Sequence, residues 1–127
     1  MVLSKHDIIK QFIAAYNAFD IETMLSLLHP EIEFKNISGG EVNAQTEGKE
    51  EFEKLARQSA ALFKERKQII LSYEEEDDTA VVEISYHATV AENLPGSNLQ
   101  SGDTLELKGR SEYIFKEGLI SSIIDES

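Results

Sequence analysis

AAYNAFDIETMLSLLHPEIEFKN, residues 14–36, contains in order the end of one helix, a junction, a short second helix, a stop and a first strand. Asp20 is a favourable N-cap for the second helix, because its carboxylate can accept hydrogen bonds from the first free backbone N–H groups. Pro30 disfavours helical geometry at His29 and is predicted to close that helix. Beyond the proline, apolar and charged residues alternate from Ile32 to Asn36, which is the period of a strand.

The helices on either side of this stretch have their own start signals. Ser4 with Asp7 three residues later resembles a capping box, and the apolar run that follows predicts a first helix over residues 4–19. Residues 38–40, Ser-Gly-Gly, break the first strand, and residues 41–46 are predicted to be a polar loop. A third helix is predicted to start near Gly48 and to run to about Arg66.

After residue 67 the apolar period changes from 3.6 to 2, which predicts four strands in the second half of the chain. Ile69, Leu71 and Tyr73 would share one strand face, and the acidic run 74–78 would form a solvated hairpin tip. The loop 92–103 contains a proline and two glycines and follows the second of these strands. The predicted inward-facing residues of the second and third strands are Val82, Ile84, Tyr86, Ala88 and Val90, then Leu105, Leu107, Gly109, Ser111, Tyr113 and Phe115. Residues 116–118 would turn into a last strand, 119–125.

This order predicts one α+β domain over residues 1–127. Three helices from the N-terminal half would pack on the concave face of a curved, mixed and mostly antiparallel sheet. A bent sheet covered on its hollow side has the shape of a cone, and its wide mouth is where a small-molecule pocket is expected.

Composition excludes several classes of function. Twelve basic against 24 acidic residues give a formal charge of −12, which disfavours nucleic acid and anionic membrane surfaces as partners. The chain has no cysteine, and its three histidines show no metal-ligand spacing, so we predict no metal site. No nucleophile elbow, phosphate-binding loop or dinucleotide fingerprint is present, so no cofactor is predicted. Without a visible signal peptide or membrane-length apolar run, the cytoplasm is the predicted location.

Four segments together resemble the nuclear transport factor 2-like (cystatin-like) superfamily, and within it the SnoaL-like polyketide cyclases and the ketosteroid isomerases. They are AAYNAF, DIETMLSLLHPEIEFKN, GKEEFEKL and LKGRSEYIFKEGLISSI, and they extend over nearly the whole chain. The resemblance implies the cone-shaped fold. It leaves the reaction open, because this scaffold carries isomerases, cyclases, dehydratases and non-catalytic modules.

The resemblance to ketosteroid isomerases assigns candidate catalytic positions. Tyr16 matches the tyrosine that stabilises an oxyanion in that family, whereas the general-base aspartate falls on Asn36 and the protonated aspartate falls on Ser111. An amide cannot take up a proton near neutral pH, so the same isomerisation mechanism is not expected. The cyclases resemble this chain in GRSEYIFKEGLI and use an aspartate and a histidine, but neither His87 nor Asp125 is assigned to that pair.

Two hypotheses follow for function. In the first, the cone binds a small, largely apolar molecule with a carbonyl or hydroxyl group, and acts, if catalytic, as a cyclase, isomerase or dehydratase that stabilises an enolate-type oxyanion. The candidate residues are Tyr16, Asn36 and Ser111 for catalysis, and Tyr86, Tyr113, Phe34 and Phe115 for ligand binding. In the second, the domain is a non-catalytic ligand-binding or dimerisation module whose cone is filled by Phe34, Phe63, Tyr73 and Phe115. A cavity with unsatisfied polar groups and a buried acid would favour the first.

The outward-facing phases of two strands suggest a partner surface. On the second predicted strand of this half, the polar positions that alternate with the apolar ones are Glu83, Ser85, His87 and Thr89. On the third strand they are Lys108, Arg110 and Glu112. Both charge signs occur there, and the superfamily resemblance implies that this outer sheet face forms a homodimer. His87 is expected to be an exposed or interface histidine.

Overall fold

The computed structural model describes residues 3–93 and 98–127, which form three helices and six strands. The predicted loop 92–103 therefore lies partly outside the described residues. A hydrogen bond from Val90 N–H, just before the loop, to Asp103 O, at its last residue, links the two sides. The helices are α1 (Lys5–Asn17), α2 (Ile21–Ser26) and α3 (Gly48–Ala60), and the strands are β1 (Leu28–Ser38), β2 (Glu41–Glu47), β3 (Phe63–Glu76), β4 (Thr79–Val90), β5 (Thr104–Lys116) and β6 (Leu119–Glu126).

The six strands form one curved sheet in the order β2-β1-β6-β5-β4-β3. Only the β1–β6 pair is parallel, and the other four pairs in the described chain are antiparallel. The three helices come from the first 60 residues, and the sheet is built mainly by the second half of the chain. The predicted α+β class, with a mixed but mostly antiparallel sheet, is confirmed.

All three predicted helix starts are confirmed: α3 begins at Gly48, and the starts of α1 and α2 have the predicted side-chain caps. Ser4 Oγ accepts a hydrogen bond from the Asp7 N–H at 3.1 Å. Asp20 accepts from the Thr23 N–H at 3.2 Å and from the Thr23 hydroxyl at 2.6 Å. These side chains satisfy donors that have no partner inside the first helical turn.

Two predicted helix ends were wrong. The second helix ends at Ser26, and β1 begins at Leu28, before Pro30. Pro30 lies where the β1–β6 register shifts, between Leu28 and Glu33, and a proline without an N–H is tolerated at such an irregularity. The third helix ends at Ala60, so Arg66 lies in β3 and not in the last helical turn.

The predicted loop at residues 41–46 was also wrong, because β2 covers it. Gly39 and Gly40 both have positive φ, +60° and +84°, and turn the chain back so that β2 pairs antiparallel with β1. This edge strand is mostly exposed. Its sequence therefore lacks the apolar alternation from which a strand is normally predicted.

The prediction that Ile69, Leu71 and Tyr73 share one face of β3 was wrong. Ile69 and Leu71 are 40% and 54% exposed, whereas Arg66 and Ile70 face the helices and are buried or partly buried. The β3–β4 register shifts between Ile70 and Ser72, and a bulge of this kind reverses the alternation of a strand. Tyr73, beyond the shift, therefore returns to the core side.

The core lies between the helices and the concave face of the sheet, and we call it the packed region. Its residues come from all three helices, from β1 and from the central strands, and the largest fully buried members are Ile9, Leu28, Ile32, Val82 and Ile120. Phe115 belongs to the same cluster and is 6% exposed. Beside this region, toward the other end of β5, the space between helices and sheet is not filled.

Candidate functional site

A cavity of about 350 Å³ lies between α1, α3 and the concave face of the sheet. This volume is within the range of small-molecule pockets. Its wall is mainly apolar and contains a limited set of polar groups. The residues that matter for its chemistry are Phe34, Phe63, Tyr16, Tyr86, Ser111 and Asp125.

Three neighbouring strands place polar residues in one row across the cavity wall. Asp125 on β6 is the register partner of Asn36 on β1 and of Ser111 on β5. Asn36 and Ser111 are the two positions that the sequence resemblance assigned to the acids of ketosteroid isomerases, and the strand between them supplies a carboxyl group. Sequence comparison alone left Asp125 unassigned.

Asp125 is the partly buried acid of the cavity wall, whereas Glu126, which also lines the cavity, is exposed. The Asp125 Oδ1 accepts a hydrogen bond from Ser111 Oγ at 2.6 Å, and Ser111 itself is buried. Burial raises the pKa of Asp125 to about 6, against the opposing effect of the Ser111 hydrogen bond. A carboxyl group with this pKa is largely ionised at neutral pH and can also hold a proton, which is the requirement for a general base.

Two tyrosines from α1 and β4 meet in the same cavity. The Tyr16 and Tyr86 hydroxyl oxygens are 3.1 Å apart and share a hydrogen bond. Because two hydroxyls have two protons and this bond uses one, the second proton can be donated to another acceptor, either a ligand oxygen or the side chain of Gln68, which also interacts with Tyr16. Burial raises the pKa of both tyrosines, so both stay protonated donors at neutral pH.

Tyr113 and Asn36 border the cavity in different ways. Tyr113 is 3% exposed, and its pKa is raised by burial and further by the charge of Asp125. Asn36 lies toward the sheet edge, where its Nδ2 donates to Asn43 Oδ1 at 2.8 Å. The amide of Asn36 is therefore held by β2.

The predicted aromatic residues separate into two groups. Phe34 and Phe63 line the cavity, where Phe63 meets the Tyr86 ring edge to face at 6.3 Å. Phe115 packs in the core cluster and is not part of the cavity wall. Tyr73 stacks on His6 with ring centroids 4.0 Å apart. These four aromatic residues therefore leave the cavity open.

Arg66 and Gln68 also border the cavity and were missed by sequence reasoning. Arg66 is 4% exposed, and its Nε donates to the backbone oxygen of Tyr16 at 2.8 Å. Arg66, Gln68 and Ile70 follow a period of 2, which was a usable signal. It was hidden because Ile69 and Leu71 on the opposite phase are the more apolar pair.

Other chemistries find less support in the described residues. His87 lies on the outer phase of β4 and contacts Ser85 Oγ at 2.9 Å. No cluster of three or more metal-ligating side chains occurs in residues 3–93 and 98–127. Within the same ranges, none of the helices has the length and apolar character needed to cross a bilayer.

Comparison with protein families identifies the chain. Residues 9–123 match the model of the SnoaL-like domain. The chain belongs to the SnoaL-like domain family. No functionally curated protein matches its sequence.

Solved structures confirm the fold of this SnoaL-like domain. A proposed polyketide cyclase from Xanthomonas campestris pv. campestris is 16% identical, with a TM-score of 0.82 over 94% of this chain and 87% of that one. A protein with a ketosteroid isomerase-like fold from Catenulispora acidiphila, solved in complex with trimethylamine, is 13% identical, with a TM-score of 0.76 over 96% and 85%. A cystatin-fold protein from Novosphingobium aromaticivorans is 21% identical, with a TM-score of 0.75 over 97% of each chain.

Proposed function

We propose that this SnoaL-like domain is an acid–base enzyme for a small, largely apolar carbonyl compound, with Asp125 as the general base. The observation that supports it best is the placement of the Asp125 carboxyl between Asn36 and Ser111 on the cavity wall. The resemblance to ketosteroid isomerases gave the tyrosine but no base. Asp125 supplies the missing group from the neighbouring strand.

The chemistry starts with removal of a proton from the carbon next to the ligand carbonyl by an Asp125 oxygen. The electron pair of the broken C–H bond forms the enolate double bond, and negative charge develops on the carbonyl oxygen. The Tyr16–Tyr86 pair donates a hydrogen bond to that oxygen, in an environment where burial strengthens the interaction. This step needs no group other than the side chains named.

The enolate can react in two ways, and both fall within the cyclase-, isomerase- or dehydratase-like function that the sequence predicts. Protonation at a different carbon by Asp125 is an isomerisation. Attack of the enolate carbon on a second carbonyl of the same ligand forms a carbon–carbon bond, and the resulting alkoxide takes back the proton from Asp125. The fold relatives include a proposed polyketide cyclase and a protein with an isomerase-like fold, and both outcomes are compatible with them.

The alternative of a non-catalytic module is weakened by the cavity and its acid. Phe34 and Phe63 border a space of about 350 Å³ that a packed cone would lack. A homodimer through the outer sheet face and a cytoplasmic location remain predictions. A small-molecule partner is part of the proposal.

Proton exchange tests this proposal without knowledge of the natural substrate. Aromatic 1,3-diketones and β-keto esters that bind the protein are incubated in D₂O, and deuterium uptake at the acidic carbon is followed by NMR. We expect Asp125→Asn to lower the protein-dependent exchange rate by roughly 10²–10⁴-fold, the usual contribution of a general base. Asp78→Asn, which removes an exposed carboxylate at the β3–β4 turn, is the matched control and should retain the rate. If no bound ketone exchanges faster than in buffer, the proposal is wrong.

A further inference from the structure

Arg66 is a buried cation beside the tyrosine pair. It is 4% exposed, and in the described part of the chain no carboxylate lies within ion-pair distance of it. Its Nη2 and the neighbouring Gln68 Oε1 are buried without a hydrogen-bond partner among the described residues. A buried charge without a counter-charge is unfavourable and is rarely retained without a compensating role.

The guanidinium group is held against two aromatic faces. Its Cζ lies 3.7 Å from the centroid of the Tyr16 ring and 4.4 Å from that of Phe19. Phe19 has a φ of +59°, a conformation that is unfavourable for a bulky residue. This strained position at the end of α1 brings the Phe19 ring into contact with the cation.

The charge acts on the hydroxyl groups through Tyr16. Burial raises the pKa of Tyr16 and the charge of Asp125 adds to that rise, while the Tyr86 hydrogen bond, the Arg66 charge and the Gln68 side chain oppose it. Arg66 also opposes the rise in the pKa of Tyr86, which is caused first by burial. The positive charge of Arg66 lies against the face of the Tyr16 ring, on the wall of the same cavity.

We propose that Arg66 makes the Tyr16–Tyr86 end of the cavity selective for ligands that bind through an ionised oxygen, an enolate or a phenolate. This inference rests on the proposed ligand site and names its substrate class: compounds that are acidic at an enol or phenol oxygen. Arg66 is a positioning residue, since it acts on the ligand through Tyr16 and does not need to touch the ligand.

A purely structural role for Arg66 predicts something different. The bond from Nε to the Tyr16 backbone oxygen links β3 to the end of α1, and a neutral donor would be sufficient for that link. In that case the loss of the charge would change the affinity for neutral and ionised ligands equally. An electrostatic role requires that the ionised ligand alone is affected.

Nitrophenols and nitronaphthols are suitable probes, because the absorption spectrum separates the ionised from the neutral form. Each probe is paired with its methyl ether, which has the same shape and no acidic proton. We expect the protein to lower the apparent pKa of at least one bound probe and to bind that probe more tightly than its ether at neutral pH. In Arg66→Gln the apparent pKa of the bound probe should rise by about one unit, equivalent to about tenfold weaker binding of the phenolate, with the ether unchanged.

The matched control is Arg57→Gln. It causes the same change in net charge at an exposed arginine that pairs with Glu53 at 2.8 Å on α3, and it should leave the probe pKa at the parent value. Arg66→Lys keeps the positive charge, so this variant should keep most of the parent protein's preference for the phenolate. If Arg66→Gln fails to fold, the comparison of Arg66→Lys with the parent, and of phenol with ether in the parent, still tests the inference.

The results also separate this inference from the proposed catalysis. Asp125→Asn should retain the phenolate preference even though its exchange activity is lost. A parent protein that prefers phenolates but exchanges no ketone would support the inference and contradict the proposed enzyme. If no probe in the panel is bound as its anion in preference to the ether, or if Arg57→Gln matches Arg66→Gln, the inference is overturned.

Discussion

The packed region and the cavity are built from the same strands. They differ in which side chains those strands place on the concave face of the sheet. On β5, Phe115 lies in the apolar core, Tyr113 lies between the core and the cavity, and Ser111 and Leu107 border open space. On β6, Ile120 is fully buried, whereas Asp125 near the end of the same strand places a carboxyl group on the cavity wall. One end of the cone is filled with side chains, and the other end contains the cavity.

The difference shows how this fold separates stability from function. The packed region consists mainly of aliphatic and aromatic side chains, so its main contribution to stability is hydrophobic burial. The cavity has a carboxyl with a raised pKa, two tyrosines with raised pKa values and a buried guanidinium that has no acid partner among the described residues. Perturbed groups of this kind are typical of functional sites, and the buried carboxylate and guanidinium also reduce stability.

The largest effect on stability is expected in the packed region. Ile120→Ala removes a side chain with no exposed surface and should lower the free energy of unfolding by about 2–5 kcal/mol, through lost burial and the cavity left behind. Urea denaturation measures this. Leu107→Ala, at a side chain that is 43% exposed beside the cavity, should cost less than about 1 kcal/mol. Equal losses for the two variants would contradict the division into two regions.

Asp125→Asn should have a smaller effect of the opposite sign. The pKa of Asp125 is raised to about 6 in the folded protein, mainly by burial, from an ordinary value of 3.8. Ionisation is therefore harder in the folded than in the unfolded chain, and stability from this residue falls as pH rises from about 4 to about 6. Removing the charge should stabilise the protein by roughly 1–3 kcal/mol at pH 7.5, discounted for partial exposure.

The dependence on pH is the decisive part of this prediction. Well below pH 3.8, the ordinary pKa of the carboxyl group, both proteins have a neutral side chain at position 125 in the folded and the unfolded chain, so their free energies of unfolding should coincide. The difference should grow between pH 4 and 6 and stay constant above about pH 7. Urea denaturation at a series of pH values measures it. If Asp125→Asn is less stable than the parent at pH 7.5, burial of the ionised Asp125 carboxylate does not destabilise the folded protein.

The same division explains which features the sequence predicted. Helix starts depend on local caps, and Ser4 and Asp20 identified them correctly. The strand periods of β4 and β5 were clear because their inward residues are apolar over most of each strand. The edge strand β2 was missed because an exposed strand needs no apolar face.

The polar wall of the cavity was harder to predict because it depends on register. Asp125 shares the phase of Ile123 on β6, which was visible, but its position between Asn36 and Ser111 depends on strand order. Arg66 was assigned to a helix, and the inward phase that it shares with Gln68 and Ile70 was hidden by the more apolar Ile69 and Leu71 on the opposite phase. Features set by pairing between distant segments were the ones that remained unpredicted.

A larger side chain in the cavity tests the contrast between the packed region and the cavity. Of the variants considered, it should change stability least. Ala56 on α3 is partly buried, packs against the core and lines the cavity. Ala56→Leu adds three carbon atoms toward unfilled space, so the free energy of unfolding should stay within about 1 kcal/mol of the parent. Affinity for any phenol or ketone bound by the parent should fall at least about tenfold, because the added side chain and the ligand need the same volume. Calorimetric titration and urea denaturation of the same variant measure both, and a stable variant with undiminished affinity would place the ligand outside this cavity.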